Sequence, residues 1–292
     1  MKVAVYGRKL SSVLIPYVEE LFSEMDNAGF EVVVYEPFYS ALKQHSSSSY
    51  NYNSFTSAHE IKGKVDFLFS VGGDGTILDT LSLVQESGTP VMGINTGRLG
   101  FLSSISKYQI SKAIDSLQKG HYTLDVRTLL RLETNRTLFG EVNYALNELT
   151  IHKKDSSSMI IIHTYLNGEY LNSYWADGLI ISTPTGSTGY SLSCGGPIIM
   201  PRSENFVITP IAPHNLNVRP IVVSDKNIVS LEVEGRSQYF LASLDSRSVT
   251  IDSSIQLAVR REEFPLNLVR LDNENFMGTL RNKLMWGLDS RN

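Results

Sequence analysis

Gly72-Gly73-Asp74-Gly75-Thr76 sets one carboxylate among glycines, directly after the largely apolar run Val65 to Val71. Glycine lets backbone approach a ligand closely, whereas a carboxylate repels phosphate, so Asp74 is placed for work other than binding phosphate directly. Two readings stand side by side. In one, the segment is a strand-to-helix turn with Asp74 and Thr76 near the helix N-cap. In the other, Gly72, Gly73 and Thr76 cradle phosphate at a helix N-terminus and Asp74 accepts a proton from an alcohol attacking a phosphoryl group.

Two further groups could do chemistry. Asn147 and Glu148 lie in the strand-like run "ALNELTIH". Adjacent strand residues point to opposite faces, so the pair meets one ligand only at a strand end or bulge; otherwise it is a polar loop edge. The run "WADGLIISTPTGSTGYSLSCGGPI", Trp175 to Ile198, carries six Ser or Thr hydroxyls between Thr183 and Ser193. These can bind a polar ligand or cap turns, although a turn needs fewer of them. Other chemistries are absent: no GxxxxGK[ST], no GxGxxG after the first strand, no GxSxG, and six scattered histidines with no zinc spacing.

The elements that must position these groups change character along the chain. "KVAVYG", "FEVVVYEP", "VDFLFSVGGDGT" and "TPVMGINTGRLGFL" read as strands, with helices at Leu10 to Ala28, "ILDTLSLVQESG" and "ISKAIDSLQKG" between and after them. Strands alternating with helices predict βαβ units and a parallel sheet, with ligands at the carboxyl ends of its strands, where both glycine-rich loops fall. "HSSSSYNYNS", His45 to Ser54, reads as a mobile surface loop. From about Tyr122 apolar and polar residues alternate, and Asn167-Gly168 is a hairpin signal. The expectation is an α/β N-terminal domain over 1–123, a mostly antiparallel β domain over 124–270, and a C-terminal segment, 271–292, with a helix at "FMGTLRNKL" that packs back on the first domain.

Composition limits the partners. With 26 basic and 30 acidic side chains and a net charge of -4, the 292-residue chain lacks the basic excess of a general nucleic-acid binder. A single cysteine, Cys194, permits no intrachain disulfide and fits a reducing compartment. No apolar run reaches membrane-spanning length, and "MKVAVYGRKL" reads as a first strand rather than a signal-peptide core. The expectations are cytoplasmic localisation, no membrane and no nucleic acid.

Together, "GGDGT", "VMGINTGRLGFL", the Asn147-Glu148 pair, "DGLIISTPTGSTGYSLSCGGPI" and "TPIAPHNLNVRPIVV" (Thr209 to Val223) resemble the NAD kinase family, in the same order through most of the chain. GGDGT alone also resembles loops of lipid kinases and phosphofructokinases; the NE pair and "TGSTGYSLS" single out NAD kinases. The resemblance implies transfer of the γ-phosphate of ATP to the 2′-hydroxyl of the adenosine ribose of NAD, with Mg²⁺ as divalent cation. It makes Asp74 the proton acceptor and, with Gly75, part of the NAD site. Asn147 and Glu148 match the ribose-binding pair. Asp177 and the run Thr188, Gly189, Tyr190, Ser191, Leu192 and Ser193 match the adenosine-binding segment, with Ser187 in a matching stretch. Ala212 and His214 match "APH", near the phosphates, and Asn95 lies in another matching stretch assigned to the phosphates. A homo-oligomer, dimeric or tetrameric, is also implied, a neighbouring subunit helping to close the NAD site. Asp79, Trp175, Gly189 and Arg247 depart from the family pattern. Two rivals share parts of it: a diacylglycerol- or sphingosine-type lipid kinase, and a dinucleotide-binding regulator without catalysis.

Overall fold

A computed structural model describes the chain except for residues 9, 46–49, 98–99, 155–158, 272–274 and 286–292. Contacts divide it into two units, 1–126 with 266–292, and 127–265.

The first unit is an α/β sandwich. Its strands are Lys2–Gly7 (β1), Glu31–Tyr35 (β2), Asn53–Phe55 (β3), Phe67–Gly72 (β4), Val91–Asn95 (β5), Ile105–Ser106 (β6) and Tyr122–Arg127 (β7). Its helices are Ile15–Asn27 (α1), Glu36–His45 (α2), Ala58–Ile61 (α3), Asp74–Val84 (α4) and Ile110–Gln118 (α5). The central strands β1, β4 and β5 are buried almost throughout, as strands covered on both faces must be. The α1 helix buries Val18, Leu21, Phe22 and Met25, and α5 buries Ile110, Ala113, Ile114 and Leu117, each set at the i, i+3, i+4, i+7 spacing of one helical face. The sheet order β3-β2-β1-β4-β5 reverses direction between β1 and β4, which pair in parallel. Ligands of open α/β sheets bind at such a reversal, beyond the carboxyl ends of the strands, and the Gly72–Gly75 loop leaves β4 there.

The second unit contains Leu130–Thr134 (β8), Tyr144–Ala145 (β9), Glu148–Lys153 (β10), Ile160–Leu166 (β11), Glu169–Ala176 (β12), Gly178–Ser182 (β13), a short helix Tyr190–Ser193 (α6), Asn205–Ile211 (β14), Ile221–Ser224 (β15), Val229–Gly235 (β16), Tyr239–Leu244 (β17), Arg247–Asp252 (β18) and Leu257–Arg261 (β19). Two six-stranded sheets, β15-β14-β13-β10-β17-β18 and β12-β11-β16-β19-β8-β9, share one apolar core. The pairings among these strands are antiparallel. Asn167-Gly168 closes the β11–β12 hairpin with φ of 51° and 85°.

The chain then returns. Leu266–Leu271 (β20) lies between β5 and β7 in the first sheet, and Phe276–Leu284 (α7) follows, with Phe276 6.1 Å from the Phe101 ring. The fold class is therefore the expected one, while the limits read at 123 and 270 fall inside β7 and β20. Alternation reveals a strand but not the sheet it joins. Two other local readings change. "EPFYSALKQH" is helix α2 rather than the end of a strand, because Pro37 fits a first helical turn and Phe38, Tyr39 and Leu42 bury one face. The expected loop over His45 to Ser54 lies partly outside the described residues. Of the rest, Tyr52 stacks on Phe22 at 5.0 Å and donates to Asp26 at 2.7 Å, so its ring is packed.

Candidate active site

In the first unit, Asp74 is the first residue of α4 and Gly73 its N-cap. The Asp74 side chain caps no amide of its own helix. It accepts from the backbone amides of Phe101, Leu102 and Ser103 at 2.8, 3.1 and 2.9 Å. An ionised carboxylate has about four lone-pair directions, so three amides leave it one acceptor direction. Gly100 makes this contact possible: a Cβ there would stand 1.7 Å from Asp74 Oδ1. At Gly72 a Cβ would stand 2.1 Å from Thr76 Oγ1, so the loop closes on the helix start only with glycine.

Two further residues of this unit are tied to their neighbours. Asn95 is buried, donates to the Ser103 carbonyl at 3.2 Å and accepts from the Gly97 amide at 2.8 Å. Asp79, one of the departures, forms an ion pair with Arg8 and accepts from the Tyr6 hydroxyl at 2.9 Å. Burial, and then the Asp79 charge, push the Tyr6 phenol up.

In the second unit, Glu148 opens β10, opposite Ser182 on β13. Leu149 and Ile181 belong to the core, so Glu148 and Ser182 stand on the face away from it. Asn147 precedes the strand. The point where a Cβ on Gly189 would stand is 3.5 Å from Glu148 Oε2 and 3.9 Å from Asn147 Nδ2. The two side chains therefore converge although they are sequence neighbours. Glu148 Oε2 is buried without a hydrogen-bond partner. Burial, and then the nearby Asp245 charge, push the Glu148 carboxyl up to about 8.

The Gly/Ser/Thr run divides into builders and exposed groups. The Thr183 hydroxyl donates to the Leu146 carbonyl at 2.5 Å and accepts from the Gly186 amide at 3.2 Å. Gly186 packs on Asn147, where a Cβ would stand 2.2 Å from the carbonyl oxygen. Ser187 donates to Pro184 O at 2.7 Å and accepts from the Ile199 amide at 3.0 Å. Thr188 donates to Thr185 O at 3.2 Å, and Ser191 shares a 2.8 Å bond with Thr209. Ser187 and Ser191 are fully buried and shape the turn, while Tyr190 on α6 is 40% exposed. Burial pushes the Tyr190 phenol up, and the Cys194 thiol, Asp177 and Glu148 add to it. Leu192 and Ser193 complete α6. Burial likewise pushes the Cys194 thiol up, away from thiolate chemistry.

The remaining predicted residues gather at the far end of the same strands. Asp177 pairs with Lys153 at 2.7 Å, five residues along β10 from Glu148, about 17 Å at about 3.4 Å per residue. The Asp177 amide donates to Ile211 O, and Ala212 follows with φ of 45°. The His214 amide donates to Trp175 O at 2.8 Å, and Trp175 is 44% exposed. A cavity of about 430 Å³ on the other sheet, lined by Glu133, Ser230 and Gln256 among others, contains no predicted residue.

Two residues escaped the sequence reading. Lys153 gives Asp177 its partner. Asp245, in the two-residue turn between β17 and β18, accepts from the amides of Leu146, Asn147 and Glu148 at 2.9, 2.8 and 3.2 Å. An Asp in a tight hairpin turn is ordinary, so its only signal was its place beside Arg247.

Comparison with known proteins agrees along the whole length. The ATP-NAD kinase N-terminal domain model matches residues 3–122, and the ATP-NAD kinase C-terminal domain model matches 146–271. A protein of Cytophaga hutchinsonii named NAD kinase is 48% identical over 293 residues, and one of Flavobacterium psychrophilum is 46% identical over 294, each covering 100% of both chains. Among solved structures, an NAD kinase from Archaeoglobus fulgidus in complex with ATP is similar at 26% identity and a TM-score of 0.75, covering 98% of this chain and 99% of that one. A yeast NADH kinase complexed with NADH shares the fold at a TM-score of 0.87 and 24% identity, covering 99% of this chain and 88% of that one. With both family models matched in order and relatives aligned end to end, this chain belongs to the ATP-NAD kinase family.

Proposed function

We propose that the protein is an NAD kinase that transfers the γ-phosphate of ATP to the 2′-hydroxyl of the adenosine ribose of NAD, giving NADP and ADP. The observation that carries the reading is the buried, unpartnered Glu148 Oε2, which converges with Asn147 beside Gly189. Buried polar atoms are nearly always satisfied, and ribose hydroxyls would supply the missing donors. Asp74 keeps one acceptor direction after its three amides and accepts the hydroxyl proton as the phosphoryl group is attacked. Gly75 lines the same loop, while Gly72, Gly73 and Thr76 shape the helix start that faces phosphate. Asp177, Tyr190 and the turn over 187–193 hold the adenosine, and Ala212 and His214 lie toward the phosphates.

Among the described residues no three His, Cys, Asp or Glu side chains form a metal cage. Mg²⁺ would be carried on the nucleotide phosphates, with waters completing its shell, and would offset phosphate charge when bound. We further infer a homo-oligomer, dimer or tetramer, and a cytoplasmic enzyme. The free Cys194 supports a reducing compartment, and no helix among the described residues is long and apolar enough to cross a membrane. The lipid-kinase and regulator readings are not favoured, since both family models and the full-length relatives point to NAD kinases. The test is incubation of the pure protein with NAD, ATP and Mg²⁺, followed by a coupled assay for NADP; absence of NADP would defeat the reading.

A further inference from the structure

The Asn147–Glu148 pair poses a geometric problem. In a regular strand the two side chains would point to opposite faces, yet both converge beside Gly189. The backbone solves it by breaking the strand between β9 and β10, and there the amides of three consecutive residues, Leu146, Asn147 and Glu148, turn toward one carboxylate. Successive amides aimed at one anion form a nest. The anion is the Asp245 side chain, contributed by a hairpin turn about a hundred residues downstream. The Asp245 amide donates back to Glu148 O at 3.1 Å, and Asp245 holds a left-handed φ of 50°. A left-handed non-glycine residue is strained and persists when its surroundings fix it. Arg247, two residues on, donates to the carbonyls of Val142 and Tyr144, the latter at 2.5 Å, so the same hairpin also grips the chain entering the break.

We propose that Asp245 is the positioning residue of the NAD site, fixing the backbone break that turns Asn147 and Glu148 toward one ligand. The inference rests on reading that pair as the ribose-binding pair. It has an electrostatic consequence. Burial pushes both carboxyls up, but three amides and Arg247 draw Asp245 back, whereas nothing does so for Glu148. The titratable and charged groups that act around it are Asp245 and Arg247 from the hairpin, and Tyr190 and Cys194 from the α6 segment.

The test is a double-mutant cycle of Asp245→Asn and Glu148→Gln, reading KM for NAD, KM for ATP and kcat, with KM for NAD followed across pH. The asparagine keeps the size of Asp245 but replaces one of its two accepting oxygens with an NH₂ that faces an amide that also donates. The expected result for Asp245→Asn is a KM for NAD raised about tenfold or more, with KM for ATP within about twofold. The second substitution should add much less on the Glu148→Gln background than on wild type. Losing the Asp245 charge should also move the pH midpoint assigned to Glu148 downward. Additive effects, equal changes in both KM values, or a KM for NAD at the wild-type level would overturn the proposal. Should Asp245→Asn not fold, Arg247→Met removes the bonds to the Val142 and Tyr144 carbonyls, loosens the same break and must raise KM for NAD selectively; an unselective effect would overturn it equally. Glu148→Gln alone separates the two claims: an unchanged KM for NAD would remove the pair from the NAD site, whereas a raised one beside an unaffected Asp245→Asn would sink the positioning role only.

Discussion

Asp74 in the first unit and Asp245 in the second make the same contact with different consequences. Each carboxylate accepts three consecutive backbone amides, 101–103 for Asp74 and 146–148 for Asp245. Asp74 sits in a glycine loop at the carboxyl end of a parallel strand, where sheet topology places ligands. Asp245 sits in a left-handed turn, returns a hydrogen bond to the segment it holds, and has Arg247 as a neighbouring charge. A carboxylate in an amide nest is thus not assigned by the nest. What surrounds its remaining acceptor direction decides whether it reacts or only holds its neighbours.

The comparison can be broken at graded strengths. The largest effect is expected for Asp74→Asn. Loss of a general base costs about 10²–10⁴-fold in rate, read as kcat for NADP formation; a rate within a few-fold of wild type would leave Asp74 only an anchor for 101–103. Next comes Gly100→Ala, which changes no reactive group. Its Cβ would stand 1.7 Å from Asp74 Oδ1, so the carboxylate or the loop must move. A displacement of about 1 Å can cost about 10²-fold, and kcat at saturating substrate reports it.

Above pH 8, where the Glu148 carboxylate is charged, Glu148→Gln should raise KM for NAD about tenfold, the worth of a hydrogen bond to a charged group. It should also stabilise the free protein at alkaline pH. The Glu148 carboxyl is pushed up to about 8, above its unfolded value. Wild type therefore loses stability as pH rises from the unfolded value to about 8, where unfolding releases a proton, and stays penalised above that. Glutamine removes the penalty, so the Tm difference between variant and wild type should be small near pH 4 and largest above pH 8; a difference independent of pH would contradict the assignment. The smallest effect is expected for Ser187→Ala, which strands the Pro184 carbonyl and the Ile199 amide. It should lower stability by about 1–3 kcal/mol, measured as a shifted urea midpoint.

Much of the first unit was legible because its central strands are continuous apolar runs and its helices repeat at 3.6 residues. Helix α2 is hidden in the sequence because Pro37 looks like an ending rather than a first turn, and the limit at 270 cuts through β20 because alternation carries no address. At the site, glycine and acid in sequence marked Asp74, but nothing local showed that its oxygens face 101–103, since Gly100 acts across 26 residues. The convergence of Asn147 and Glu148 was less legible still. Strand periodicity places them on opposite faces, and the residue that overrides it is 98 positions from Asn147. Motifs record which side chains a site uses; the backbone that aims them is written elsewhere in the chain.

The most direct test sets Asp74→Asn beside Asp245→Asn and measures both the NAD dissociation constant, by calorimetry, and kcat at saturating NAD and ATP. Asp74→Asn should lose about 10²-fold or more in kcat with NAD binding within a few-fold of wild type. Asp245→Asn should bind NAD about tenfold more weakly and recover most of kcat at saturation. If both variants lose the same quantity in the same proportion, the two carboxylates do the same work, and the division between a reacting and a positioning residue is wrong.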